Sequence, residues 1–315
     1  MKKSAALLPI LIIGMLPLSV QAYTVLPLRH HLDITHDFLQ PTDVAVGKDN
    51  YIYIVDGVNN SVKVFDERGG FKFSFGGKGA QKGKFKTPVG ITTDSAGRVY
   101  VADTGNQRIQ IFSYKGAFER QIAIPSGENN KPREPVDVAV DESQKLLYVS
   151  DNDNHQVLVY SNPGDKLLST WGSKGTRTHH FYYPFLIATD DNASVFIVDV
   201  LNTRVQVWRQ DKAVGSIGGW GVDLGQFYRP KGVCVDQNGL VFVSDSVLGV
   251  IQTFNSKGDF DAVLGTENGE VLKWETPLGI TIDRRQRLYV VEMLSNRVRV
   301  YDILTDQKLE KQYTP

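Results

Sequence analysis

The sequence predicts an all-β fold, a six-bladed β-propeller with four antiparallel strands to each blade. Three observations carry this expectation. Prolines at 41, 88, 135, 184, 230 and 277 open six similar phrases, at spacings of 47, 47, 49, 46 and 47. Each phrase holds four short runs of alternating polarity, rich in β-branched and aromatic residues and separated by Gly, Asn and Asp, which is a strand pattern. No segment keeps a helical period. A lone four-stranded sheet cannot bury both of its faces, so six such units are expected to stack around an axis.

The first run of each repeat is Val44–Val46, Ile91–Thr93, Val138–Val140, Ile187–Thr189, Val233–Val235 or Ile280–Ile282. Five of the six lead into an aspartate (Asp94, Asp141, Asp190, Asp236, Asp283), and the first leads into Gly47. The second run, such as Val99–Val101 or Val241–Val243, closes on Asp56, Asp103, Asp151, Asp199, Asp245 and, in the last repeat, Glu292. A third run follows, as in Ile109–Phe112 and Val205–Trp208. The fourth is looser, as in Phe71–Phe75 and Asp259–Leu264. Tyr23–Leu28 sits where a fourth strand would precede the first repeat. It is expected to complete the sixth blade as a clasp between the chain ends, and Lys308–Tyr313 competes for that slot.

Residues 1–22 read as a signal peptide and 23–315 as the propeller. Lys2 and Lys3 precede an apolar run, Ala5 to Val20, broken by Pro9, Gly14 and Pro17, and Val20-Gln21-Ala22 offers a cleavage site. The run is short for a bilayer span, so no stable membrane span is expected after cleavage, and the chain is expected to be periplasmic or secreted. Of 315 residues, 35 are Lys or Arg and 35 Asp or Glu. That balance argues against nucleic acid, whose phosphates call for a basic excess. The single cysteine, Cys234, excludes an internal disulfide, a CxxC redox pair and a cysteine-rich zinc site.

The phrase from Pro88 to Asp94, followed by Val99-Tyr-Val-Ala-Asp103 and Thr104-Gly-Asn-Gln-Arg-Ile-Gln-Ile-Phe112, closely resembles the NHL repeat. The resemblance covers essentially all of 23–315 and implies the propeller fold. It implies no single function, since the family includes RNA-binding domains, exported binding scaffolds and a lyase with metal near its central channel. That lyase's channel histidines have no counterpart here, and no cofactor is expected.

Recurrence decides how the conspicuous side chains are read. The acid and the Asn three residues later (Asp56/Asn59, Asp103/Asn106, Asp151/Asn154, Asp199/Asn202) return in repeat after repeat, so they are expected to tie turns together, with Arg108, Arg204 and Arg297 paired to the acids. His155 falls in a turn. His30, His31, His36, His179 and His180 do not recur on an inner strand, as a zinc centre would require. Gly76–Gly79 and Gly218–Gly221 resemble phosphate loops, but no helix follows either. Phe38, Phe85, Phe181, Phe227 and Trp274, three residues before their prolines, are expected to pack between blades. Cys234 is expected to be inert core.

Departures from the repeat point to a site. The loops after the repeated acid carry Gly57-Val58, Thr104-Gly105 and Asn152-Asp153 in repeats one to three. Repeats four to six carry Val200-Leu201, Val247-Leu248 and Met293-Leu294 instead. Repeat five also has Leu248 for the usual Asn and Val250 for the Arg. The entry to repeat four adds Tyr182, Tyr183 and Phe185, with Leu186 where others have Gly or Asp. These apolar tips are expected to form a patch on one face of the ring, docking a protein or small ligand without catalysis. The alternative is a metal-assisted hydrolase or lyase with Asp43 and Asp137 at the channel mouth, where repeats two, five and six have glycine. Export predicts a mature chain beginning at Tyr23 outside the cytoplasm. N-terminal sequencing should read Tyr-Thr-Val, and recovery of Met1 from a membrane fraction would contradict it.

Overall fold

A computed structural model describes residues 21–163 and 165–313. The expected signal segment lies outside the described residues except for Gln21 and Ala22. Twenty-five strands and five single-turn 3-10 segments make up the described chain.

Strand β1 is Gln21–Thr35. The first four repeats are four-stranded antiparallel sheets in simple meander order. Repeat one is β2 (Pro41–Val46), β3 (Ile52–Asp56), β4 (Ser61–Phe65) and β5 (Phe71–Gly76). Repeat two is β6 (Ile91–Thr93), β7 (Val99–Asp103), β8 (Arg108–Phe112) and β9 (Phe118–Ala123). Repeat three is β10 (Pro135–Asp141), β11 (Leu146–Asp151), β12 (Gln156–Ser161) and β13 (Leu167–Trp171). Repeat four is β14 (Pro184–Thr189), β15 (Val195–Asp199), β16 (Arg204–Arg209) and β17 (Lys212–Gly218). The remaining strands are β18 (Pro230–Val235), β19 (Val241–Asp245), β20 (Val250–Phe254), β21 (Phe260–Thr266), β22 (Pro277–Ile282), β23 (Arg287–Glu292), β24 (Arg297–Ile303) and β25 (Leu309–Tyr313).

These last strands and β1 form one nine-stranded sheet, in the order β18-β19-β20-β21-β1-β24-β23-β22, with β25 also on β1. Strand β1 is the join. Val25–Leu28 run parallel to Val263–Thr266, while Leu28–Thr35 run antiparallel to β24, with a bulge between His30 and Leu32. Gln21–Val25 pair with Leu309–Tyr313. The clasp is therefore longer than Tyr23–Leu28, and the stretch on β24 is Leu28–Thr35. Both chain ends are used, in consecutive stretches of one strand. The architecture is an all-β propeller of antiparallel four-stranded blades: four separate sheets and this composite one.

The first strands β2, β6, β10, β14, β18 and β22 each pack on the next, and β22 packs on β2, closing a ring. Second strands are buried along their whole length, as in Ile52–Asp56 and Val241–Asp245, apart from the half-buried Leu146 at the start of β11. The outermost strands alternate exposed and partly covered positions. Core clusters lie between sheets, such as Tyr53, Val55, Phe85, Ile91 and Val101. Phe85, Phe181 and Phe227 are buried as expected. Each packs under a glycine at the end of the preceding fourth strand (Gly76, Gly172, Gly218) with φ of +103°, +81° and +77°, where a Cβ would come within 2.2–2.4 Å of the ring. Only glycine meets both conditions.

Leu26 of β1 is fully buried with Phe242, Ile251 and Leu264. Leu26→Ala should cost about 3 kcal/mol of stability, because it opens a cavity that the sheet cannot fill. Leu168→Ser on the exposed side of β13 should stay within about 0.5 kcal/mol. Equal losses in chemical denaturation would contradict the role of β1.

Candidate functional site

Chain direction sorts the loops onto two faces. Loops between second and third strands, and those leading into each first strand, emerge on one face; the tight turns between first and second and between third and fourth strands emerge on the other.

On the first face each repeat is built on its buried acid. The carboxylate accepts the backbone N–H of the residue 17 positions earlier: Leu39 to Asp56, Lys86 to Asp103, Glu134 to Asp151, Tyr182 to Asp199, Tyr228 to Asp245 and Glu275 to Glu292, at 2.6–3.0 Å. Asn59, Asn106, Asn154 and Asn202 donate to the same carboxylates, as expected. Arg108, Arg204 and Arg297 pair with Asp103, Asp199 and Glu292 at 2.7, 2.9 and 2.5 Å. Repeats one and three use Lys63 and Arg133 instead. Burial still pushes the Asp199 carboxyl above its ordinary range against these partners. Asp245 has no cation within ion-pair reach among the described residues. It accepts N–H groups from Tyr228, Arg229, Val247 and Leu248.

The apolar departures divide. Leu201, Val247 and Leu294 are exposed, at 38%, 59% and 54%. Val200 is buried against Val205 and Ile217. In repeat five Ser246 follows Asp245 directly, so Val247 and Leu248 fall one position later in their loop than Val200-Leu201 do. Leu248 is half-buried beside Val25, Val250 and Val263. The lost Asn and Arg of repeat five thus make room for β1. Met293 is half-buried. Tyr182 and Tyr183 stack on each other at 5.4 Å and meet the His155 ring edge-on. His155 accepts the Tyr183 N–H at 3.1 Å. Burial, with Lys174 and Lys131 nearby, lowers the His155 pKa. Phe185 lies under the Lys231 ammonium, 4.3 Å from its ring centroid. Repeat one also exposes Val58, at 53%. Sequence reasoning missed Trp220, exposed at 76%, which stands in the strand-exit position held by Lys78 and Lys174 in two other repeats. Its place in a glycine-rich exit loop concealed it.

The ring of first strands encloses a cavity of about 240 Å³. At the end near this face, six equivalent positions carry Asp43, Gly90, Asp137, Leu186, Gly232 and Gly279. Asp43 accepts the Ile91 N–H at 2.9 Å, and Asp137 accepts the Ile187 N–H at 2.7 Å. The second oxygen of Asp137 fills the notch left by Gly90, where a Cβ would fall 2.0 Å from it. The two carboxyls therefore approach Gly90-Ile91 from the two neighbouring repeats, and the second oxygen of Asp43 fills the notch left by Gly279 in the same way. The second oxygen of Asp137 and the hydroxyl of Ser150, on the residue paired with Asp137, are buried without a protein partner. Burial raises the Asp43 pKa to about 7, and burial with the charge of Asp43 raises that of Asp137 well above the ordinary range. Cys234 faces the same cavity, and burial pushes its thiol up, so it is a poor nucleophile.

Metal chemistry needs a converging donor set, usually of three or more side chains. No group of three or more His, Cys, Asp and Glu side chains assembles among the described residues. His30 bonds Asp33, His31 bonds Asp302, and His180 bonds Ser173, each at a separate place. Two carboxylates that each commit an oxygen to a backbone N–H fall short of a metal centre.

The NHL repeat profile matches residues 38–65, 85–112, 133–160 and 227–247. The chain carries NHL repeats and folds as a β-propeller. The unmatched repeats are the fourth, with Leu186 and the added aromatics, and the sixth, with Glu292 for Asp. No curated protein matches the chain. Among solved structures, a streptogramin B lyase is 12% identical with a TM-score of 0.63 over 90% of this chain and 98% of its own. A gluconolactonase from Xanthomonas campestris is 14% identical, TM-score 0.65, over 89% and 97%. A catalytically inactive virginiamycin B lyase from Staphylococcus aureus, solved with quinupristin, is 12% identical, TM-score 0.61, over 85% and 82%. At such identities the likeness is one of fold. No helix among the described residues is long and apolar enough to cross a membrane.

The buried carboxyls give the NHL propeller a pH signature. A folded pKa raised from 3.8 to about 7 means that the fold binds this proton more tightly than the unfolded chain does. Stability from Asp43 therefore falls as pH rises from about 4 to 7 and stays low above. Asp43→Asn keeps an acceptor for the Ile91 N–H and removes the charge. It should melt above the parent at pH 8, with the gap closing toward pH 4. A variant less stable at pH 8 would show that the charge is held by a favourable partner.

Proposed function

We propose that this chain is an exported, six-bladed NHL propeller that acts as a non-enzymatic binding scaffold, docking a protein or ligand on the loop face. The six-blade reading divides the composite sheet in two: β18–β21 as the fifth blade, and β22–β24 with Leu28–Thr35 as the sixth. Six first strands packed in a ring support it. Export rests on the basic and apolar start of the sequence. Removal of residues 1–22 would leave the β1 ladder from Tyr23 onward.

The observation that carries the docking reading is where large apolar side chains are exposed. Among the described residues, Leu39, Val58, Leu201, Trp220, Val222, Tyr228, Val247 and Leu294 are exposed on the loop face. Phe71, Leu168 and Val214 are exposed on outermost strands, Phe71 directly after the opposite-face turn Asp66–Gly70 and Val214 beside the opposite-face residues Gly239 and Lys257. The opposite face is made of polar turns such as Asp94–Arg98 and Asp236–Leu240. Apolar surface concentrated on one face of a ring is the pattern of a docking surface. The alternative, a metal-assisted hydrolase or lyase, has Asp43 and Asp137 to build on and, among the described residues, no third His, Cys, Asp or Glu that joins them.

Leu201→Ser, Val247→Ser and Leu294→Ser together should leave the melting temperature nearly unchanged, since surface substitutions usually stay within about 0.5 kcal/mol each. Capture of the partner from an extract of the exported compartment should fall sharply, because a few central anchors carry most interface energy. Three substitutions on the opposite face, Ser256→Ala, Lys257→Ala and Asp191→Ala, are the control. Normal melting with undiminished capture would contradict docking through these tips.

A further inference from the structure

We propose that the channel mouth between repeats four and five binds an anionic group, a carboxylate or phosphate carried on an apolar or aromatic body. The inference deepens the loop-face reading and rests on it, naming the chemistry of what that face takes.

Five of the six first strands begin with a proline at the channel mouth, and in repeat two Pro88 stands three residues before β6. The residues just before and after each proline are related as i and i+2, which extended backbone sets on one side. Pro230 is flanked by Arg229 and Lys231. The other five prolines have uncharged residues at both places, except for Glu134 before Pro135. Both cations of repeat five are half-buried. Among the described residues neither lies within ion-pair distance of a carboxylate, and neither makes a side-chain hydrogen bond. Elsewhere the partly buried cations of this face are matched: Lys63 to Asp56, Arg108 to Asp103, Arg133 to Asp151, Arg204 to Asp199 and Arg297 to Glu292. The unmatched pair is the exception.

Its surroundings complete the site. The Lys231 ammonium stands over the Phe185 ring at 4.3 Å, a cation–π contact that holds it at the mouth. Burial and the neighbouring Arg229 charge lower the Lys231 pKa, which marks two like charges kept together at a cost. An anion between them offsets that cost. Arg229 supplies a planar fork suited to carboxylate or phosphate, and Lys231 a point charge. Phe185, with Tyr183 on the same rim, supplies the wall for an apolar body. A metal would be repelled here.

The test titrates the full chain with benzoate, phenyl phosphate and neutral benzamide, followed by calorimetry and ligand-observed NMR, for the parent, Lys231→Met and Arg229→Gln. At least one anion should bind the parent while benzamide does not, and the tighter of the two tells carboxylate from phosphate. Each variant should weaken that binding at least about tenfold, the scale of a lost charge-assisted hydrogen bond. Lys231→Met should melt no lower than the parent, because its stem still covers Phe185 and an unmatched charge is gone. Failure of both anions to bind the parent, equal binding of benzamide, full binding by Lys231→Met, or a melting point for that variant far below the parent would each overturn the proposal. If the anions fail while the apolar-tip substitutions still abolish capture, the anion site falls alone. If capture also survives those substitutions, the loop-face reading falls with it.

Discussion

One interaction repeats in every unit: a buried carboxylate at the end of the second strand, accepting the N–H of a residue 17 positions earlier. It joins the loop entering a repeat to the loop between that repeat's second and third strands. Without it, loop-face N–H groups at the edge of a packed core would lack partners, and each buried unsatisfied group costs about 1–3 kcal/mol. In five repeats the carboxylate also pairs with an Arg or Lys, and in four it accepts a hydrogen bond from an Asn, so the same buried centre fixes both loops and the root of the third strand. A charge-assisted network of this kind is costly when partly satisfied and rigid when complete. The loop face can therefore carry exposed apolar and cationic side chains without losing its shape.

Repeat five shows the effect of altering that network. Asp245 keeps its backbone donors but has no Asn or Arg, and Leu248 and Val250 stand in their places. They pack with Val25 and Val263, so the first strand of the chain lies along β21 rather than being held off by polar side chains. The same strand then crosses to β24 and finishes the ring. Ring closure thus rests on an apolar substitution at a site that is polar in its neighbours, and the sheets that would be the last two blades become one hydrogen-bonded whole.

Much of this was legible in the sequence. Proline spacing and period-2 runs located the first strands, and recurrence of Asp and Asn identified the acids as structural. The ends of the chain were legible only in part, because Tyr23–Leu28 and Lys308–Tyr313 have equal claims as alternating segments and their order depends on partners far away in sequence. The apolar departures were visible, but their meaning was not. Val200 and Leu248 have the same residue character as Leu201 and Val247, and only tertiary contacts separate a side chain folded into the core from one left in water. Trp220 and the Arg229–Lys231 pair were also visible as residues. The signal that would have singled them out is comparison of equivalent positions, Trp220 against Lys78 and Lys174, and the two flanks of Pro230 against those of the other prolines.

The central claim is that the buried carboxylate organises the loop face. Amide hydrogen exchange in an Asp245→Ala variant tests it most directly, since this carboxylate holds four backbone N–H groups and no cation. Protection should fall at Tyr228, Arg229, Val247 and Leu248 while the inner strands Val233–Val235 and Val241–Val243 keep theirs. Unchanged protection at those four amides, or a uniform loss across the whole chain, would contradict it.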